Sequence, residues 1–110
     1  MITEGPAAYQ EGVAASKHGF APRLSAVDVN GTITAKFDGV DVSTGEMVDR
    51  KLNVVDRPNF INAAFRQSAV AEKNGFTVRW EVPNDAIQAK ARRILSTHGI
   101  RNIRVAVVPQ

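Results

Sequence analysis

The sequence contains no cysteine, which excludes disulfide cross-links and the cysteine-ligated zinc sites that hold many small domains together. Histidine is nearly as scarce: His18 and His98 lie far apart, which argues against a histidine-rich metal centre and leaves hard, oxygen-bound ions as the class of metal to consider. No apolar run approaches the length of a transmembrane helix, and the opening MITEGPAAYQEGV lacks the basic start and apolar stretch of a secretory signal. A domain with no membrane segment is expected. What is present suffices for one core, since 44% of the 110 residues are hydrophobic and a single domain of that size needs no staple. Fourteen Lys and Arg against 11 Asp and Glu leave a formal charge of +3, which favours an anionic partner without demanding one.

Residues 1–23 are rich in Ala, Gly and Pro and read as a loose N-terminal arm, with one short helix expected over Ala7–Ser16; residues 24–110 read as a single domain. The chain is expected to belong to a larger protein. Leu24–Val29 and Thr32–Val42 flank Asn30-Gly31, the strongest short-range signal for a two-residue hairpin turn, and Ser43-Thr44-Gly45 returns the chain into a third strand, Glu46–Val55. Asp56-Arg57-Pro58 reads as a helix start with a capping acid, and Asn74-Gly75 as its stop. Between them Ile61, Ala64, Phe65 and Ser68 recur at helical spacing and predict the buried stripe. Phe76, Val78, Trp80 and Val82 alternate as a strand, a second helix carries Ile87, Ala91, Ile94 and Leu95 and stops at Gly99, and Ile103–Val108 is a last, buried strand. The fold class is therefore α/β with a mixed sheet, three antiparallel strands followed by two helical crossovers.

The residues that carry chemistry lie on the first hairpins. Alternation places Asp49 and Lys51 on one face of the third strand and Lys36 and Asp38 together on one face of the second. With the turn closed at residues 43–45, Asp38 falls opposite Asp49 and Lys51. Two carboxylates can hold Mg²⁺ or another divalent cation whose remaining positions go to water and substrate phosphate, and a neighbouring lysine can orient the attacking water and offset charge on the phosphoryl group. The combination suits phosphodiester hydrolysis. The same residues also read as a strand end at Asp38-Gly39 and a solvated strand face at Asp49 and Lys51, because isolated D-x-K triplets are common. In either case the trio is expected to be partly exposed and to contribute little to the core.

The run AKFDGVDVSTGEMVDRK, from Ala35 to Lys51, resembles the PD-(D/E)XK, or restriction-endonuclease-like, superfamily. More narrowly it is similar to the C-terminal nuclease toxins of contact-dependent growth inhibition and other polymorphic toxin systems. Ala63-Ala64-Phe65-Arg66-Gln67-Ser68, Asn74-Gly75 and Arg79-Trp80-Glu81-Val82-Pro83 extend the likeness over roughly residues 33–108. Phe-Asp stands where Pro-Asp is usual, and Asp49 where Glu is commoner. The resemblance implies an αβββαβ core with an extra helix and strand, and catalysis by Asp38, Asp49 and Lys51 with the metal on Asp38 and Asp49. It also implies a functional glutamine on the first long helix, which would be Gln67, and often an acid on an N-terminal helix, for which Glu4 and Glu11 are the available residues. The implied protein is an endonuclease toxin, secreted or displayed as part of a larger protein, acting in the cytoplasm of a target bacterium and blocked in its producer by an acidic immunity protein. Its implied substrate is nucleic acid, tRNA before DNA.

Arg57 and Arg66 are the phosphate-contact candidates, together with Arg50, whose alternation instead points it into the face of Val48, Leu52 and Val54. Lys90, Arg92 and Arg93 read as a solvated helix face, Trp80 as core, and Glu81 as a residue that joins the site or satisfies a hydrogen bond. A DNA-cleaving nuclease of the same fold and a non-catalytic nucleic-acid-binding module are the competing functions.

Overall fold

The hairpin signalled at Asn30-Gly31 opens the ordered architecture. In the computed structural model, which describes residues 22–110, β1 (Arg23–Asp28) pairs antiparallel with β2 (Gly31–Lys36), with Asp28 opposite Gly31. The loop is therefore Val29-Asn30, one residue earlier than expected, because the positive φ that glycine tolerates (+122°) falls on Gly31 where the turn ends. β1 includes Arg23, which the sequence places in the arm. The expected helix Ala7–Ser16, and Glu4 and Glu11, lie outside the described residues.

The segment Thr32–Val42 is two strands rather than one. After β2 come Phe37 and Asp38, and then β3 (Gly39–Asp41). Successive N–H groups of an extended chain point to opposite edges, and here they find different partners. Phe37 N–H donates to Pro22 C=O at 2.8 Å on the β1 side, whereas Asp38 N–H donates to Val48 C=O at 2.9 Å, on β4 (Glu46–Arg50). Asp38 thus stands where one ladder ends and the next begins. β3 and β4 are antiparallel around a turn that ends at Gly45 (φ +71°). β4 stops at Arg50 and not at Val55, with Lys51 N–H making one further bond to Glu81 C=O at 2.9 Å.

α1 (Pro58–Lys73), β5 (Thr77–Val82), α2 (Asp85–Thr97) and β6 (Ile103–Val107) complete a mixed four-stranded sheet of order β3-β4-β5-β6, in which β4, β5 and β6 are parallel. Parallel crossovers are right-handed, so a strand order that follows the chain brings both helices onto the same face. α1 packs on β5 and on the β1–β2 hairpin, and α2 on β5 and β6. Met47, Val78, Trp80, Val82, Ile103 and Val105 meet Ile61, Ala64, Val70, Ala71, Ala91, Ile94 and Leu95 there and form the core.

Two details of α1 differ from expectation. Its N-cap is Arg57, without a side-chain cap; Asp56 lies one residue too early to reach the first turn, and its Oδ1 sits 2.9 Å from His98 Nε2 at the end of α2. Its buried stripe runs through Ile61, Ala64, Gln67, Val70 and Ala71, while Phe65 is 44% exposed and packs edge-on against the His98 ring. Burying Gln67 is affordable because its amide is fully engaged, as described below.

The other face of the sheet carries an ion network. Arg79 donates through Nη1 to Glu46 Oε1 (2.7 Å) and Asp41 Oδ2 (3.1 Å), and through Nε to Glu81 Oε2 (3.0 Å). Arg50 Nε meets Glu81 Oε1 at 2.7 Å, and Arg104 Nε meets Glu46 Oε2 at 2.9 Å. Glu81 therefore stands away from the catalytic candidates, and Arg50 is tied to it rather than presented to a phosphate. The Ser43 hydroxyl and Arg79 hold the Asp41 carboxyl down at about 2, and Arg104 and Arg79 do the same for Glu46, also at about 2.

Candidate active site

Asp38, Asp49 and Lys51 converge on the helix-covered side of the sheet. Extending the Gly39–Val48 pairing by one residue sets Asp38 across from Asp49, and the two carboxyl groups are within hydrogen-bonding reach of each other. Asp38 Oδ2 accepts the Arg50 backbone N–H at 2.8 Å, satisfying a donor on the edge of β4 that β3 no longer covers. Neither acid is solvated as the sequence leads one to expect: Asp38 is 7% and Asp49 8% exposed. Burial, then the hydrogen bond and negative charge of Asp49, push the Asp38 carboxyl up to about 7.

Lys51 projects to the same side, with Nζ 2.9 Å from Asp49 Oδ2 and 5.3 Å from the ring centres of both Phe60 and Trp80. Those rings pack edge to face at 5.5 Å. The ammonium is thereby held by one carboxylate and two aromatic faces, which fixes its place beside the carboxylate pair.

Gln67 is the link between this cluster and the core. The Trp80 indole can only donate, and its Nε1–H goes to Gln67 Oε1 at 2.9 Å, so the amide must turn its NH₂ the other way. That group donates to Asp49 Oδ2 at 2.8 Å and reaches the Lys36 carbonyl at 3.4 Å. Trp80, Gln67, Asp49 and Lys51 form one chain of contacts running from core to site.

The arrangement offers two hard carboxylates and a positioned ammonium. Among the described residues no group of three or more acids or histidines is placed to hold a metal ion, so any ion held by Asp38 and Asp49 would take its other positions from water or substrate, as Mg²⁺ commonly does. The donor set fits such an ion chemically, since two adjacent buried carboxylates against one lysine favour added positive charge.

The residues expected to contact nucleic acid separate. Arg66 and Gln67 line a hollow of about 350 Å³ with Arg23, Thr34, Lys36 and Ala63. Arg57 lines another, of about 570 Å³, with Val55, Pro58, Asn59 and Phe60. Arg57 is the extended residue ahead of α1 and Arg66 lies within it, so the two are not brought to one hollow. Lys36 is exposed and does not share the face of buried Asp38, because the chain changes ladders between them. Nothing in the sequence points to Arg23 as a neighbour of the site or to Phe60 and Trp80 as its walls, and Lys36, expected beside Asp38, borders the hollow instead. Aromatic residues at helical and strand spacing carry no signal that separates wall from core. Comparison with protein-family models, curated proteins and solved structures finds no match for the chain.

Proposed function

We propose that this chain is a metal-dependent endonuclease with a restriction-endonuclease-like core, acting as a toxin domain on RNA, tRNA in particular. The observation that carries it is the meeting of Asp38, from the strand junction, with Asp49 of β4 and Lys51 just beyond its end, the two acids buried and the cluster held in place by Gln67, Phe60 and Trp80. Two carboxylates beside a positioned ammonium suit metal-assisted phosphodiester hydrolysis. Asp38 and Asp49 would hold Mg²⁺ or a similar ion, which when bound supplies electrostatic stabilisation of the charge developing on the phosphate.

The chain's own residues do the rest. Asp49 anchors Lys51 through one ammonium donor; the other two would orient the water that forms the new phosphorus–oxygen bond, its proton passing to solvent, and offset charge as the bond to the leaving sugar oxygen breaks and that oxygen takes a proton from solvent. Asp38, pushed up to about 7 and so partly protonated near neutrality, would give up its remaining proton to solvent if a cation joined the pair. The small basic domain has few residues for reading a duplex major groove, which suits a folded RNA recognised by shape and phosphate contacts. A toxin of this kind is delivered from a larger protein and is restrained in its producer by an acidic immunity protein.

Incubation of the protein with total tRNA and with plasmid DNA, each with Mg²⁺ and with EDTA, tests the proposal. Cutting of tRNA at one position is expected, abolished by EDTA and by Asp49→Asn or Lys51→Met. Plasmid degraded while tRNA stays intact would overturn the RNA assignment and keep the nuclease. Binding of both nucleic acids without Mg²⁺-dependent cleavage would leave a non-catalytic binding module.

A further inference from the structure

The hollow between β2 and α1 collects three cations from three elements, Arg23 of β1, Lys36 of β2 and Arg66 of α1, and no acid lines it. None of the three side chains has an ion-pair partner among the described residues. On the far face of the sheet the opposite holds: Arg50, Arg79 and Arg104 are each matched to a carboxylate. The unmatched set is also an unfavourable one by itself. Arg23 and Lys36 are directly opposed partners across the hairpin ladder, a like-charge pair that repels unless an anion lies between them. Gln67 connects the hollow to the site, since the NH₂ that approaches Lys36 C=O also donates to Asp49 Oδ2.

We propose that this hollow carries the phosphates of the substrate strand that flank the scissile one, with Arg23, Lys36 and Arg66 as their contacts. The proposal rests on the nuclease assignment above and adds the path of the strand. Exposed guanidinium and ammonium groups around an open hollow suit a run of phosphates, which position a strand without reading its sequence. Thr34, also on the rim, spends its hydroxyl on Ser25 Oγ at 3.1 Å, so the charge of the three cations dominates recognition.

The test compares two triple variants that remove the same charge, Arg23→Gln/Lys36→Gln/Arg66→Gln and Lys90→Gln/Arg92→Gln/Arg93→Gln, the second on α2. Binding of a fluorescein-labelled single-stranded RNA of about 12 nucleotides, and of its DNA counterpart, is read by anisotropy in EDTA, with folding checked by thermal unfolding. The hollow variant is expected to bind at least about tenfold more weakly and to flatten the dependence of log K on log salt by about 2, three contacts at roughly 0.7 each. The α2 variant is expected to change affinity less than about threefold. Equal losses in the two variants, no loss in the first, or no oligonucleotide binding by the unmodified protein would overturn the proposal. Binding that depends on the hollow in a protein that never cleaves would sink the nuclease assignment alone. Cleavage by the hollow variant at unaltered kcat/KM would sink the strand path alone.

Discussion

Asp38 is held by opposing demands. The Arg50 N–H favours its ionised form, while burial and Asp49 oppose it and win, placing the carboxyl at about 7 against an ordinary value of 3.8. Between those values the folded, metal-free protein binds more protons at this group than the unfolded chain, so its contribution to stability falls as pH rises from about 4 to 7. Asp38→Asn keeps an acceptor for Arg50 N–H and removes the charge. In EDTA it is expected to stabilise the protein by about 2 kcal/mol at pH 7.5, roughly half of what the full shift converts to, with no gain at pH 4, as denaturant unfolding at both pH values will measure. Asp38→Ala is not the neutral change expected of an exposed residue, because it orphans a part-buried N–H at a cost of about 1–3 kcal/mol. Gln67→Leu strands the Trp80 indole N–H and takes a donor from Asp49, so a loss of about 2 kcal/mol is expected. Trp80 is the sole tryptophan, and its emission should shift in the same variant.

At the scale of elements, the face of β3, β4, β5 and β6 away from the helices depends on Arg79, which touches Asp41, Glu46 and Glu81. Arg79→Leu leaves these carboxylates without their central cation, and a destabilisation of about 3 kcal/mol is expected in urea unfolding, more than for Arg104→Leu at the exposed rim. The same network sets the acid limb. Asp41 and Glu46 titrate at about 2, below their ordinary values near 4, so their contribution is complete above the unfolded values and is lost as pH falls through about 2. A thermal-unfolding series from pH 5 to pH 2 should show a midpoint falling steadily for the unmodified protein and a flatter dependence for Arg79→Leu.

For the molecule as a whole, an ion that binds only the folded state raises its stability by mass action. At 10 mM Mg²⁺ and a dissociation constant of about 1 mM the gain is about 1.4 kcal/mol, which for a domain of this size raises Tm by roughly 5–10 °C. Differential scanning fluorimetry should register that shift in the unmodified protein and not in Asp49→Asn. The net charge of +3 bears on the expected immunity protein, whose association rate should fall at least about tenfold between 0.05 and 0.5 M NaCl as screening shortens the reach of the field. A rate indifferent to salt would remove electrostatic steering from that account.

Periodicity and turn chemistry determined the order of strands and helices apart from the split of Thr32–Val42 into two strands, the stops at Asn74-Gly75 and Gly99, and the placing of Asp49 and Lys51 on one face, because each depends only on near neighbours in the chain. The hairpin register was beyond them. Leu24, Ala26, Ile33 and Ala35 share a face both in the observed pairing and in the one that a loop at Asn30-Gly31 would impose, so the hydrophobic pattern cannot choose between the two. Tertiary structure alone decided the rest. The break at Phe37-Asp38 exists because β1 and β4 lie on opposite edges of one extended segment, and Arg79 meets Asp41 across 38 positions of sequence. Gln67 is buried because a tryptophan donor and an aspartate acceptor happen to flank it in space, 13 and 18 positions away. Such contacts are set by which elements pack together, and no local spacing encodes a partner that only folding brings near.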